Sequence, residues 1–224
     1  MITNFVLQAL LAIVPVIFAI TLHETAHGWA ALALGDTTAR DQGRLTLNPL
    51  RHIDRVGTII LPGLLLISQL LTIHRVAFMF GWAKPVPVSA WKFPNPRRYM
   101  AVVALAGPAM NFFLASVSAV ALRGFGAADA PLWLQTILFD FILINMVLGL
   151  FNLLPIPPLD GGRVLVGLLP EQLARSWAGL ERYGLLIVIA VILVLPNVFH
   201  IDPIGDVLNK TVVPIALWLA GYHD

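Results

Sequence analysis

The first apolar run of the chain, residues 5–34, reads FVLQALLAIVPVIFAITLHETAHGWAALAL. It is longer than the roughly 20 residues that a helix needs to cross a hydrocarbon core. A secretory signal would begin with basic residues, but no Lys or Arg precedes Arg40. The run therefore predicts a retained transmembrane helix, and this helix carries the polar residues His23, Glu24 and His27 in its second half.

The composition of the chain also indicates a lipid environment. Of its 224 residues, 58% are hydrophobic and only 12% are charged, whereas soluble domains are about half apolar and a quarter charged. Too few charged side chains remain to cover a soluble fold of this length. This excludes a disordered tail, a nucleic-acid-binding protein and most soluble enzymes. The absence of cysteine excludes disulfides and thiolate metal sites.

Further apolar runs predict further membrane segments. We expect an all-α polytopic membrane protein with five or six transmembrane or re-entrant segments, forming a single domain over residues 1–224 that contacts the lipid bilayer. Leu, Val and Ile occur on every side of these segments, so the sequence predicts no particular oligomer. The additional runs cover residues 56–73, 100–122, 131–154, 183–199 and 212–222.

The distribution of basic residues predicts the orientation in the membrane. Nine of the fourteen Lys and Arg residues lie between Arg40 and Arg98. Cytosolic loops carry an excess of basic residues, so segments 40–55, 84–98 and 163–182 are expected in the cytosol and the N-terminus outside. The polar end of the first helix, with the candidate active site, then lies near the cytosolic face.

The segment between residues 56 and 92 has basic flanks on both sides, so it crosses the membrane an even number of times or not at all. It is rich in Gly and Pro, which favours a helix followed by an extended, re-entrant segment near residues 76–92. A plain re-entrant loop is the alternative. Non-helical backbone at membrane depth requires protein or a wet cavity around it.

Residues 21–28, TLHETAHG, contain the pattern H-E-x-x-H on the first helix. His23 and His27 are one helical turn apart, so both imidazoles can bind one ion. Glu24 lies beside them and can take a proton from a bound water, an arrangement typical of catalytic zinc. The alternative is a helix end whose polar residues meet lipid headgroups, which explains the polarity but not the spacing.

Catalytic zinc sites have a third protein ligand. Asp160 is favoured by depth, because the run 131–154 ends on the same side of the membrane as His27 and three prolines then break the helix. An ordinary helix cap explains Asp160 equally well. The candidates considered are His52, Asp54, His74, Asp160, Glu171, Glu181 and His200.

Two motifs together resemble the site-2 protease family, peptidase family M50, in its compact bacterial form without a PDZ domain. One is HETAH at 23–27, and the other is NLLPIPPLDGGRVL at 152–165. The family pattern N-x-x-P-x-P-x-L-D-G is matched by Asn152, Pro155, Pro157, Leu159, Asp160 and Gly161. Similar stretches are GRLTLNP at 43–49, GWAKPVPV at 81–88 and AGPAMNF at 106–112.

The resemblance implies an intramembrane zinc metalloprotease of the bacterial plasma membrane. It implies one Zn²⁺ per chain held by His23, His27 and Asp160, with Glu24 as the catalytic acid and base. Asn152 would hold the substrate backbone or the oxyanion. The substrates would be transmembrane segments of other proteins. The catalytic core would consist of three helices near residues 5–34, 99–122 and 131–155.

Two further hypotheses come from the residues themselves. The segment Lys84, Pro85, Val86, Pro87, Val88 lacks two amide donors and could pair with an unwound substrate strand, or it could be a proline-rich turn. Asn111 lies in mid-membrane beside Pro108, where a structural role is favoured over one in the site. The alternative functions for the whole chain are a divalent-cation transporter and a non-catalytic membrane scaffold.

Overall fold

A computed structural model describes residues 2–72, 74, 81–124 and 130–222, and every regular element in these ranges is helical. The helices are α1 (Ile2–Ala33), α2 (Thr38–Asp41), α3 (Arg55–Thr72), α4 (Pro96–Gly124), α5 (Leu132–Asn152), α6 (Asp160–Leu168), α7 (Glu171–Phe199) and α8 (203–220). Helix α3 begins with a π-helical stretch, and α7 and α8 each contain one. Short 3₁₀ turns lie between helices at Pro49–His52 and Ala90–Lys92.

Four helices of the described chain, α3, α4, α5 and α7, are long and apolar enough to cross a membrane. Helix α1 is itself 32 residues long. Large apolar side chains on α3 point outward, with Leu71 75% exposed, as expected for a helix surrounded by lipid. The prediction of an all-α polytopic membrane protein is therefore confirmed.

Two helices are longer than the apolar runs that predicted them. Helix α7 begins at Glu171, whereas the predicted apolar run begins near residue 183. The first turns of the helix are amphipathic, so a search for apolar runs does not detect them. Helix α8 begins at Pro203 rather than near residue 212. Its early turns carry polar side chains, including an ion pair in which Lys210 Nζ lies 2.9 Å from Asp206 Oδ1.

The predicted three-helix core is present as α1, α4 and α5, which pack against one another. Small side chains allow membrane helices to approach closely, and α4 contributes the buried Ala115 and Ala119 at the contact with α5 and α8. Helix α6 then packs against α4. This arrangement brings the start of α6 to the second half of α1.

The segment of residues 81–92, which we call the strap, lies between α3 and α4 in the chain and ends in the 3₁₀ turn Ala90–Lys92. The Lys84 amide donates to the His52 carbonyl at 2.8 Å. The buried Arg44 side chain donates to the carbonyls of Lys84 and Pro85 at 2.9 and 3.3 Å. The expected extended segment is thus non-helical over residues 81–89, and its part at residues 76–80 lies outside the described residues.

Asp36, just beyond α1, anchors the far end of the strap. Its fully buried carboxylate accepts the Ser89 amide at 2.6 Å and the Thr38 amide at 2.9 Å, and it pairs with Lys92 at 3.0 Å. Burial alone would raise the pKa of Asp36, but these donors stabilise the carboxylate and lower its pKa to about 2. The strap is therefore held firmly against the end of α1.

Candidate metal centre

Three predicted ligands converge between α1 and α6. His23 Nε2 lies 3.1 Å from Asp160 Oδ2, His27 Nε2 lies 3.3 Å from the same oxygen, and the two Nε2 atoms are 3.1 Å apart. His23 and Asp160 are buried, and His27 is nearly so. The structure therefore places these three side chains around one point, as the sequence predicts.

The dimensions of this triangle fit a zinc site. For ligand atoms about 2.0 Å from a tetrahedral zinc, geometry gives ligand-to-ligand distances of about 3.3 Å. Asp160 Oδ2 is buried and has no hydrogen-bond partner among the described residues. A buried carboxylate oxygen without a partner is costly, and a cation at the centre of the triangle would satisfy it.

The local structure around Asp160 argues against a simple capping role. Leu159, not Asp160, occupies the N-cap position of α6, and no side chain caps the helix there. Gly161 packs against the backbone just after α5. A Cβ at this position would collide with the Leu153 carbonyl, so the close approach requires glycine. The broken, glycine-containing turn thus brings the Asp160 carboxylate to the histidines.

Hydrogen bonds on the far side of each imidazole set the orientation of the rings. His27 Nδ1 lies 2.7 Å from the Val103 carbonyl, which can only accept, so this nitrogen carries the proton. His23 Nδ1 lies 2.5 Å from Asn111 Oδ1. In both rings the Nε2 lone pair is then free to bind a metal ion, as in known histidine metal sites.

The assignment of the Asn111 amide follows from its other contacts. Its Nδ2 donates to Asn145 Oδ1 at 2.8 Å, and the Asn145 Nδ2 donates to the Phe141 carbonyl at 2.8 Å. Because that carbonyl can only accept, it sets the direction of the whole chain of bonds from Phe141 to His23. Both asparagines are fully buried, so Asn111 supports the site as well as the helix packing.

Gly107 on α4 makes room for both imidazoles. A Cβ at this position would lie 2.5 Å from His27 Nε2 and 2.6 Å from His23 Nε2. Sequence reasoning missed this role, although Gly107 falls within the quoted stretch AGPAMNF. The backbone of α4 thus forms one wall of the site without contributing a ligand.

Glu24 is tied to the strap. Its Oε2 accepts a hydrogen bond from the Val86 amide at 3.1 Å. Val86 is buried, and a Cβ on Gly28 would collide with its side chain, so the strap packs closely on α1 at this point. The predicted acid and base and the predicted substrate-contact segment are therefore neighbours.

Other predicted residues have partners outside the triangle. The Asn152 amide donates to the Leu148 carbonyl of its own helix at 3.0 Å. Several alternative ligands have other partners: Asp54 caps the start of α3, Glu171 pairs with Arg175, and Glu181 pairs with Arg163. Among the described residues, His23, His27 and Asp160 form the group that could hold a metal ion.

Helices long enough to cross a membrane and a triangle of two histidines and a carboxylate define a membrane protein with a zinc-type metal site. The sequence profile of peptidase family M50 matches residues 126–195, a stretch that includes Asp160. The chain is also similar to two curated bacterial proteins. These matches show that it belongs to peptidase family M50, the site-2 protease family, and is an integral membrane protease.

The first relative is "Putative zinc metalloprotease YwhC" of Bacillus subtilis, 38% identical over 190 residues, which cover 82% of this chain and 80% of the relative. The second is "Putative zinc metalloprotease Rip2" of Mycolicibacterium smegmatis, 31% identical over 185 residues, covering 82% of this chain and 67% of the relative. No solved structure matches the chain. The family resemblance predicted from the two motifs is confirmed.

Proposed function

We propose that this zinc metalloprotease binds one Zn²⁺ per chain through His23, His27 and Asp160 and cleaves peptide bonds in or near transmembrane segments of other proteins. The observation that carries the proposal is the triangle itself. Two Nε2 atoms and one carboxylate oxygen that has no hydrogen-bond partner in the described chain lie 3.1 to 3.3 Å apart. Three protein ligands are the number that catalytic zinc sites use.

Glu24 is the proposed general base and acid. A zinc ion held by His23, His27 and Asp160 would supply Lewis-acid chemistry that makes water a better nucleophile. Glu24 takes the proton of the attacking water and delivers it to the leaving amine. Among the described residues only its Oε2 is engaged, by the Val86 amide. The other carboxylate oxygen is therefore free to accept the proton.

Asn152 is the proposed donor to the substrate backbone or the oxyanion. A side-chain amide carries two N–H donors. One of them donates to the Leu148 carbonyl and fixes the rotamer at the end of α5. The second can donate to a substrate oxygen, a contribution that is strongest when charge develops there during the reaction.

The strap is the proposed contact for an unwound substrate strand. Pro85 and Pro87 have no amide donor, and the amides of Lys84 and Val86 already donate to His52 and Glu24. The Val88 amide and the carbonyls beyond Pro85 are therefore the groups that remain for pairing among residues 84–88. Addition of a strand to such an edge is a recurrent mode of peptide binding.

Changing Val88 to proline tests the strap. The substitution removes the one amide of residues 84–88 that has no partner among the described residues. We therefore expect the KM for a single-span substrate to rise about 2- to 10-fold relative to Val88→Ala, the equivalent of one hydrogen bond. Val88→Ala serves as the control because it shortens the side chain and keeps the amide. Equal KM values for the two variants would contradict a pairing role.

The basic loops support a cytosolic position for the candidate site, with the N-terminus outside. The chain contains no cysteine, so a single introduced cysteine can be labelled without background. We expect Ser89→Cys, on the strap, to react with an impermeant maleimide in lysed spheroplasts but not in intact ones, because only lysis exposes the cytosolic face of the membrane. Labelling of intact spheroplasts would contradict the proposed orientation.

Metal content and cleavage measured together test the proposed function. We expect the purified chain to contain about one zinc and to cleave a single-span substrate in detergent, and Asp160→Ala to lose both properties because one of three ligands is removed. Asp206→Ala is the matched control, since its exposed carboxylate pairs with Lys210 on α8. Full zinc content in Asp160→Ala would contradict the proposed ligand set.

A further inference from the structure

A cavity of about 390 Å³, whose wall includes neither Glu24 nor any of the three candidate metal ligands, lies where the first turns of α4 face α6 and α7. Its walls are mostly apolar and include Met100, Pro158, Val166 and Ala178. This volume is within the range of about 300–1,000 Å³ that is typical of small-ligand pockets. The proposed catalytic step does not use this cavity, and the strap contributes only Ala90 to its wall.

The cavity contains one guanidinium without a counter-charge. Arg97 lines it, and the Nη1 atom of Arg97 is buried with no hydrogen-bond partner among the described residues. The two other charged residues of the wall neutralise each other, since Arg163 Nη2 lies 2.9 Å from Glu181 Oε1. The cavity therefore has a net charge of one, and it is positive.

A second buried donor belongs to a residue adjacent in sequence to the cavity wall. Trp177 Nε1 is buried and unpartnered within the described chain, and the next residue, Ala178, forms part of the wall. A buried guanidinium nitrogen and a buried indole N–H without acceptors are each unfavourable. An anion that enters the cavity would supply acceptor oxygens to Arg97, which lines it.

The position of Arg97 along α4 indicates where the cavity lies in the membrane. Arg97 is the second residue of a helix that can cross the bilayer, so it lies near the level of the lipid headgroups. Trp91, on the strap just before α4, is 79% exposed, and exposed tryptophans are typical of membrane interfaces. Basic pockets between helices at this depth suit anionic headgroups.

We propose that this cavity binds one anionic phospholipid, with the phosphate on Arg97 and the first methylenes of an acyl chain on the apolar wall. The guanidinium matches phosphate oxygens in geometry and charge. A free phosphate would leave the apolar wall uncovered, whereas an amphiphile covers it. The proposal concerns a site outside the metal centre and does not depend on the proposed catalytic roles.

Native mass spectrometry of the full chain in detergent tests the proposal, with phosphatidylglycerol and phosphatidylcholine as probes. We expect one phosphatidylglycerol per chain to bind at least tenfold more tightly than phosphatidylcholine, because the choline ammonium neutralises the phosphate charge that would otherwise balance Arg97. Arg97→Gln should remove this preference and Arg97→Lys should retain much of it. Arg98→Gln is the matched control, because Arg98 is exposed and outside the cavity wall.

A cavity-filling variant separates the cavity from general surface charge. Val166→Phe keeps every charge and should lose the bound lipid. Equal losses in Arg97→Gln and Arg98→Gln would overturn the proposal, because they would show attraction to the surface only. Displacement of the lipid by millimolar inorganic phosphate, or binding of an acidic peptide in its place, would also overturn it. Retained binding in Val166→Phe would place the lipid elsewhere.

Discussion

Replacement of Glu24 by glutamine is expected to lower the rate of substrate cleavage by about 10²- to 10⁴-fold, the range typical of a lost general acid and base. A glutamine oxygen can still accept the Val86 amide that holds Glu24 Oε2 at 3.1 Å, so the strap should keep its position. The ligand triangle is untouched, and zinc content should stay near that of the unmodified chain. The measurements are single-turnover cleavage of a single-span substrate and metal analysis of the same sample.

Glu171→Gln is the matched control for this substitution. Glu171 is an exposed residue at the start of α7 that pairs with Arg175, and its replacement should leave cleavage unchanged. Cleavage by Glu24→Gln at the unmodified rate would contradict the assigned proton transfer. Loss of zinc from Glu24→Gln would instead show that Glu24 contributes to metal binding, and the two failures are distinguished by the metal analysis.

Replacement of Asn111 by leucine is expected to weaken zinc binding about 10- to 100-fold, as is typical when the hydrogen-bond partner of a metal-binding histidine is removed. Asn111 Oδ1 lies 2.5 Å from His23 Nδ1. Without this acceptor the His23 ring can rotate or change tautomer, and the Nε2 lone pair loses its fixed direction. The measurement is the zinc dissociation constant by chelator competition.

Two further variants distinguish positioning of His23 from packing alone. Asn145→Leu should weaken zinc binding in the same direction but less, because Asn145 only sets the direction of the Asn111 amide through a 2.8 Å bond. Asn209→Leu, at an exposed position on α8, should change nothing. A lower Tm in Asn111→Leu with an unchanged zinc dissociation constant would show that Asn111 contributes to helix packing and does not position His23.

The helices could be predicted from the chain because their signal is local. An apolar run of about 20 residues has few stable alternatives to a helix in lipid, and α1, α4 and α5 lie close to the predicted positions. The prediction was less complete for the first turns of α7 and α8. There the exposed polar side chains hide a continuing helix from any search for apolar runs.

The metal centre could be predicted in part. The spacing of His23 and His27 on one helix face is a property of the α-helix itself and needs no tertiary information. The third ligand remained open on spacing alone, since Asp160 suited a helix cap equally well. Its recognition came from the motif resemblance, and the structure then showed that Leu159 occupies the cap position.

The amino-acid sequence was enough to predict a polytopic helical membrane protein, two candidate metal ligands one helical turn apart and, through two motifs, the protease family. The surroundings of those two side chains became known only from the folded structure. Asn111 contacts His23 across 88 positions of sequence and Val86 contacts Glu24 across 62, while Gly107 acts through the space it leaves empty. Such contacts depend on how separate helices pack against one another. No local pattern in the amino-acid sequence predicts which residues of two distant helices will meet.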